Sequence, residues 1–445
     1  MFKPAILAVL FWIVAAPSFA QQSPGVDEVP DVKADDPLPD PLTLADALRL
    51  AASEYPTVAR YAADRTLARS RVSLAQSRYD VEATVRFDAR AADKAADADR
   101  RFRDDSRATL YLSKLLSDFG VGRAVVAAAE ARQAGAELAL DYQRKLHDID
   151  IMARFLDVKL ADLRYFVDDE DMTLAFLRYD RVRERRELFG EFAEVDEKGL
   201  EAVFRDRLVT RTRSAQNQRL ARNRLALAMG RPGELADNVL LPQLHAYDRP
   251  PPEYDEILEE VLAHHPLLQV NALLLEAADH AIRALQYADR PELTARLEAT
   301  EWSLERGNRD QYVAGLELEF ALGGKAARNA RLAEAMAERE YLEVDRKALE
   351  YELRQTVLEL VQSLRALTFE EEAARVNEDY RDLYLDRSRS LYQLEVRSDL
   401  GDSQARQAEA VWRSTRVGFD RALTWARIDA MRNMPLAVHQ PEESQ

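Results

Sequence analysis

The sequence predicts a mainly α-helical chain with a small β part, built as a tandem repeat of long coiled helices and four β-strands. Three observations predict it. Between Pro56 and Pro232, and again between Pro291 and Pro435, there is no proline. Both stretches are rich in Ala, Leu, Arg and Glu, which favour long helices. Inside them, VEATVRFDAR (Val81 to Arg90) and PELTARLEAT (Pro291 to Thr300) alternate apolar and polar residues with period two, the pattern of a strand with two unlike faces. The two segments are also in phase: Glu82, Thr84 and Arg86 match Glu292, Thr294 and Arg296, while Pro56 and Gln76 match Pro266 and Gln286. A fixed offset of this kind is the mark of an internal repeat.

Taken in order, the chain opens with Lys3, an apolar run from Ala5 to Ala16 and the small-residue end Ser18-Phe19-Ala20. This reads as a secretory signal, residues 1–20, cleaved after Ala20, and it is too short to span a membrane. Gln21 follows and cysteine is absent, so neither a lipid anchor at the new N-terminus nor a disulfide framework is expected. A Pro-rich segment, 21–41, comes next. The first repeat covers 42–235, a linker 236–256, the second repeat 257–434 and a tail 435–445.

Charged residues make up 32% of the chain and its formal net charge is −17. An acidic balance argues against nucleic acid as a partner. No segment offers about twenty uninterrupted apolar residues, so any membrane crossing must use strands.

Each repeat reads helix, strand, loop, strand, long helix, turn, helix. The strands are expected at about 81–90 and 107–117, then 292–302 and 311–322. Strands of about ten residues have the length of a tilted strand in a bilayer. An apolar and a polar face are what a membrane barrel wall needs, with Phe87, Leu293, Leu297, Leu316, Leu318 and Phe320 toward lipid. Phe87, Tyr111, Trp302, Tyr312 and Phe320 are expected near strand ends, as interfacial aromatics. Four strands cannot close a water-filled barrel, and an open edge in lipid is costly. Three copies would give twelve strands.

Gly122 to about Leu188, and about Lys325 to Arg389, are expected as single helices, each on the order of 100 Å long at 1.5 Å per residue. Shorter helices flank them, at Thr43 to Arg78 and Phe192 to Met229 in the first repeat. The small residues Ala124 to Ala129 would let backbones approach closely. An ordinary soluble bundle accounts for the helices and leaves both hairpins unexplained.

The chain resembles the TolC outer-membrane efflux protein family. The residues that carry the resemblance are LTLADALRLAASEYP (Leu42 to Pro56) and its echo YDEILEEVLAHHP (Tyr254 to Pro266), the two strand pairs, the exits SDFGVGRA and FALGGKAARNARLAEA, and ARNRLALAMG (Ala221 to Gly230). It covers about Leu42 to Asn433. What it implies is a homotrimer: a trimeric α-barrel across the periplasm, topped by a shared twelve-stranded β-barrel. Such proteins are exit ducts of tripartite pumps or type I secretion systems. They work with a periplasmic adaptor and an inner-membrane transporter.

The resemblance also implies a periplasmic constriction at the helix turns. Asp399 and Asp402, three apart, are candidates for acidic rings in three copies. Glu191, Glu194 and Asp196 are the candidates at the first-repeat turn. Family members commonly carry a Val-Gly-x-Thr type turn that receives the adaptor. The first repeat keeps Gly190, but the second has Val396-Arg397-Ser398 without a preceding glycine, which puts the usual docking surface in doubt. The charged loop AADKAADADRRFRDD between the first two strands should face outward.

No phosphate-binding glycine loop, nucleophile elbow or Cys/His metal array is present in the sequence, so no enzymatic chemistry, cofactor or metal is expected. His264 and His265 are adjacent and diverge on a helix, which suits a surface or packing role rather than metal binding. The alternative is a periplasmic adaptor or coiled-coil structural protein without a pore. An enzyme on a helical scaffold is a further class, with no constellation to support it.

Overall fold

The computed structural model describes residues 37–51, 55–92, 103–234, 236–303, 310–394 and 400–437. The signal segment, most of the Pro-rich segment, the middle of the charged loop and most of the tail lie outside the described residues. In chain order the helices are α1 (Leu44–Arg49), α2 (Pro56–Gln76), α3 (Val121–Phe189), α4 (Glu194–Ala228), α5 (Tyr254–His264), α6 (Pro266–Tyr287), α7 (Lys325–Gln393) and α8 (Leu400–Met431). The strands are β1 (Val81–Asp88), β2 (Ala91–Ala92), β3 (Arg103–Asp104), β4 (Arg107–Ser117), β5 (Glu292–Trp302) and β6 (Tyr312–Glu319). The long helices α3 and α7 have 69 residues each. β1 and β6 stop short of the expected 90 and 322. The segment expected as one helix from Thr43 to Arg78 is two, α1 and α2. Pro56 opens α2, where its missing N–H costs nothing.

The chain folds as two compact units that cut across the repeats, so each unit draws on both. One contains 66–135 and 272–344. Its centre is an antiparallel sheet in the order β1-β4-β5-β6. The first hairpin, β1 and β4, joins the second, β5 and β6, through a direct β4–β5 pairing of residues about 190 apart in sequence. A bulge between Leu115 and Ser117 shifts the register where β4 ends. β2 and β3 form a separate small ladder beyond β1 and β4.

In the same unit the end of α2 meets the start of α3 at Asp118, only 2% exposed. Its carboxylate accepts from Tyr79 Oη at 3.0 Å, from Gly120 N at 3.2 Å and from Gly122 N at 2.6 Å. Arg78 adds an ion pair at 3.4 Å. These bonds satisfy free N–H groups at the start of α3 and turn the chain from strand to helix. Gly120, with φ +109°, allows the turn.

The other unit contains 32–65, 136–271 and 345–445. Its core gathers Met152, Phe155 and Leu156 of α3, Leu225 of α4, Val261 of α5, Val357, Val361 and Leu364 of α7, and Trp425 and Ile428 of α8. Each is at most 4% exposed. Burying one such side chain is worth roughly 1.5–3 kcal/mol. Leu42, fully buried, ties the start of the first repeat to the linker: its N–H donates to Asn238 O at 2.9 Å, and Leu240 N–H donates to Leu42 O at 3.0 Å. Thr43 caps α1 by accepting from Asp46 N at 3.1 Å.

Candidate functional site

Paired residues in adjacent strands point to the same face of a sheet. Register therefore assigns every strand residue to a side. Val81, Ala83, Val85 and Phe87 of β1 sit opposite Lys114, Leu112, Leu110 and Ala108 of β4. Leu112 pairs with Leu297 of β5, and Leu297 with Ala314 of β6. Ala295 pairs with Leu316, and Leu293 with Leu318. The register thus brings five of the six sequence-proposed lipid-face residues to one face: Phe87, Leu293, Leu297, Leu316 and Leu318. Phe320 follows the end of β6, in the same alternation. Phe87 is 72% and Leu316 71% exposed, so in the single chain this apolar face is bare.

The opposite face is polar. Arg107 holds Asp88 at 2.6 Å, Arg296 pairs with Glu317, and Arg86 lies 5.3 Å above the Tyr111 ring. Thr300 donates to or accepts from Thr109 across the β4–β5 pair at 3.1 Å. This face borders a concave space of about 560 Å³, lined among others by Arg86, Tyr111, Arg296, Glu298 and Glu317. One aromatic differs from the sequence expectation. Tyr111 stands mid-strand on the polar side, because it opposes Thr84 and Glu298. Trp302 ends β5, as expected, and shares that side, under Arg107 at 5.4 Å. Period two fixes which residues share a face, and here it assigns both rings to the charged one. Phe87 and Tyr312 do lie at strand ends, on the apolar side.

The turns lie in the other unit. Gly190 ends α3 with φ +66°, a left-handed position suited to glycine, and its N–H donates to Arg186 O at 3.1 Å. Glu191 reaches Arg185 at 3.5 Å. Glu194 is the exposed first residue of α4. Asp196 accepts from Ala193 N at 3.2 Å, so its role in the chain is to cap α4. In the second repeat, Val396, Arg397, Ser398 and Asp399 lie outside the described residues. Asp402 is in the first turn of α8 and is ion-paired with Arg178 of α3. Within one chain this carboxylate has a cationic partner, and both side chains remain more than half exposed.

Sequence reasoning passed over Glu197, the acid at this turn that packing singles out. It is 6% exposed and paired with Arg186 of α3. The signal was available: stepping back by threes and fours from Leu225 through Ala221, Ser214 and Phe204 lands on Glu197, the face of α4 that meets α3. Phe204 itself packs against Phe176 and Tyr179 of α3, with ring centroids 5.4 and 6.0 Å apart. His265, read as a surface or packing residue, is 2% exposed, with Tyr142 Oη 3.4 Å from its Nε2. Burial lowers its pKa to about 4. Among the described residues no cluster of His, Asp or Glu is arranged to hold a metal ion, and no helix is long and apolar enough to cross a membrane.

No protein-family model matches the chain, and no curated protein matches it. Solved structures do. The chain is similar to the Campylobacter jejuni CmeC outer membrane channel, with a TM-score of 0.72 and 13% identity over 89% of this chain and 87% of that one. It is similar to the outer membrane protein VceC of Vibrio cholerae, with a TM-score of 0.69 and 14% identity over 88% and 96%. A membrane protein from Pseudomonas aeruginosa gives 0.68 and 15% over 90% and 92%. The class is thus a helical chain with a four-stranded antiparallel sheet. More particularly, the chain has the fold of the TolC-like outer-membrane channels.

Proposed function

We propose that this chain is an outer-membrane exit channel, a passive duct rather than an enzyme. The observation that carries the reading is the two-faced sheet. One face is apolar and bare, the other is charged, and the outer edges of β1 and β6 end the strand order. Bare edges and a bare apolar face are stable in lipid only if the wall is closed by other copies. Three chains give twelve strands, the assembly suggested by the likeness to outer membrane channels. The duct then serves a tripartite pump or a type I secretion system, with a periplasmic adaptor and an inner-membrane transporter as partners and the signal segment directing export.

The helix turns supply the constriction. Asp402–Arg178 and Glu197–Arg186 tie the turns to α3 and hold the end narrow, with Asp399, Glu191, Glu194 and Asp196 adding negative charge around it. Gly190 is the adaptor contact in the first repeat; Val396, Arg397 and Ser398, the second-repeat candidates, depart from the family's turn and lie outside the described residues. The test is single-channel conductance of purified protein in a planar bilayer. Cation-selective steps that grow in Arg178→Ala or Asp402→Ala support a duct closed at these turns. Steps unchanged by either substitution keep the duct and remove this constriction. A water-soluble protein without conductance removes the duct, and a periplasmic structural role takes its place.

A further inference from the structure

We infer that Lys114 and the trough beside it form a binding site for an anionic phospholipid, on the apolar face of the sheet. The inference rests on the proposal that this face meets lipid. By register the face holds the side chains of Val81, Leu112, Leu297 and their apolar neighbours, and only two charges, Lys114 on β4 and Glu301 on β5. They lie at opposite ends. Glu301 is one residue from the loop end of its strand, whereas Lys114 is three residues from the end at which β4 passes to α3. At about 3.4 Å per residue that is roughly 10 Å, within reach of a long side chain extending to a membrane surface.

Lys114 is exposed and makes no ion pair with any described residue. Its partners across the sheet are Val81 and Ala295, neither of which can neutralise an ammonium group. A lone cation on a lipid-facing surface is costly at mid-membrane and favourable where it meets a phosphate. The shape beside it fits the rest of a lipid. Ala295, on the rung of Lys114, and Ala314, on the next, are small, and Leu112, Leu297 and Leu316 stand around them. These residues and Lys114 line a trough of about 670 Å³, whose border also takes in Arg296, which by register belongs to the other face and is ion-paired there with Glu317. An acyl chain lies along the trough and the headgroup phosphate meets the ammonium. The same end of the sheet carries further exposed apolar side chains, Leu116, Phe119, Phe320 and Leu322, as an interfacial rim requires.

The test uses the full-length protein purified in detergent and exposed to phosphatidylglycerol or phosphatidylcholine of the same chain length, with retained lipid counted by native mass spectrometry. The wild type should retain phosphatidylglycerol in excess. Lys114→Gln should lower that excess about fivefold, the worth of one lysine at an anionic surface. Lys114→Arg should keep it, and Lys347→Gln, which removes an exposed charge from α7, should not change it. Equal loss in Lys347→Gln, or no loss in Lys114→Gln while both lipids still bind, overturns the site and leaves the membrane reading intact. A wild type that takes up neither lipid nor detergent overturns both.

Discussion

Arg222 of α4 holds Asp162 of α3 with two parallel bonds, Nη1 to Oδ1 at 2.8 Å and Nη2 to Oδ2 at 3.1 Å. The same guanidinium donates to the carbonyls of Ala236 and Asp237 at 3.0 and 3.1 Å. It therefore joins the two helices to the linker that starts the second repeat. Both side chains are mostly shielded, at 17% and 25% exposure. Below this pair the α3–α4 seam continues in polar contacts: Gln218 with Asp162, Ser214 with Asp168, Arg211 with Asp169.

Arg222→Ala should cost about 2 kcal/mol, since it takes the charged donor from Asp162, leaving it Gln218 alone, and leaves two carbonyls without theirs. Arg222→Lys should recover little, because an ammonium cannot serve both carboxylate oxygens and the linker at once. Thermal unfolding of the two variants checks this. A melting temperature equal to wild type in Arg222→Ala would show that the seam is not energetically important.

On the sheet, Leu297→Arg places a charge in the centre of the apolar face, at a cost of about 2–4 kcal/mol if that face is in lipid. Its neighbour Glu298 points to the other side, so Glu298→Arg should be far milder. The yield of assembled protein in the outer-membrane fraction distinguishes the two. Equal yields would count against the assignment of faces to lipid and water.

Two glycines should respond in opposite directions. A Cβ on Gly122 would lie 2.3 Å from Tyr79 Oη and 2.6 Å from Asp118 Oδ2. Gly122→Ala should therefore open the strand-to-helix junction and destabilise by on the order of 2 kcal/mol. Gly199, inside α4, has no atom within 4 Å of the same position. Gly199→Ala should raise stability by about 0.5–1 kcal/mol through its helix preference. Melting temperatures that shift in the same direction would contradict this contrast.

His265 gives the helical unit a pH dependence. Burial lowers its pKa from 6.5 to about 4, so the folded chain keeps the ring neutral where the unfolded chain protonates it. The unfolded state then binds more protons between those values, and stability falls as pH drops from about 6.5 toward 4. The full loss is up to about 3 kcal/mol. His147, stacked on Tyr55 at 4.1 Å and also lowered by burial, adds to it. His265→Gln should flatten the melting temperature between pH 7 and pH 5 relative to wild type. An unchanged slope would assign the dependence elsewhere.

Much of this molecule was legible in the chain itself. The proline-free stretches specified α3 and α7 because nothing in them breaks a helical turn. Period-two alternation marked the four long strands, and the in-phase offset tied them into two hairpins. Alternation is a local property of the strand, so it also assigned Leu297 and Leu316 to one side before any pairing was known. Tyr111 was misread as lying near a strand end because aromatic character was weighed ahead of its place in the strand.

What only the tertiary structure decided depends on residues far apart in sequence. The β4–β5 pairing joins Leu112 to Leu297, and no local pattern encodes that register. The spacing of Asp402 says nothing of its partner, and α3 brings Arg178 against it. Glu197 looked like one acid among several, until the packing of α4 on α3 buried it beside Arg186. The physical reason is the same in each case. A residue's hydrogen-bonding and apolar character is set by its own side chain, whereas its charge partner and its exposure are set by whichever distant segment the fold places against it.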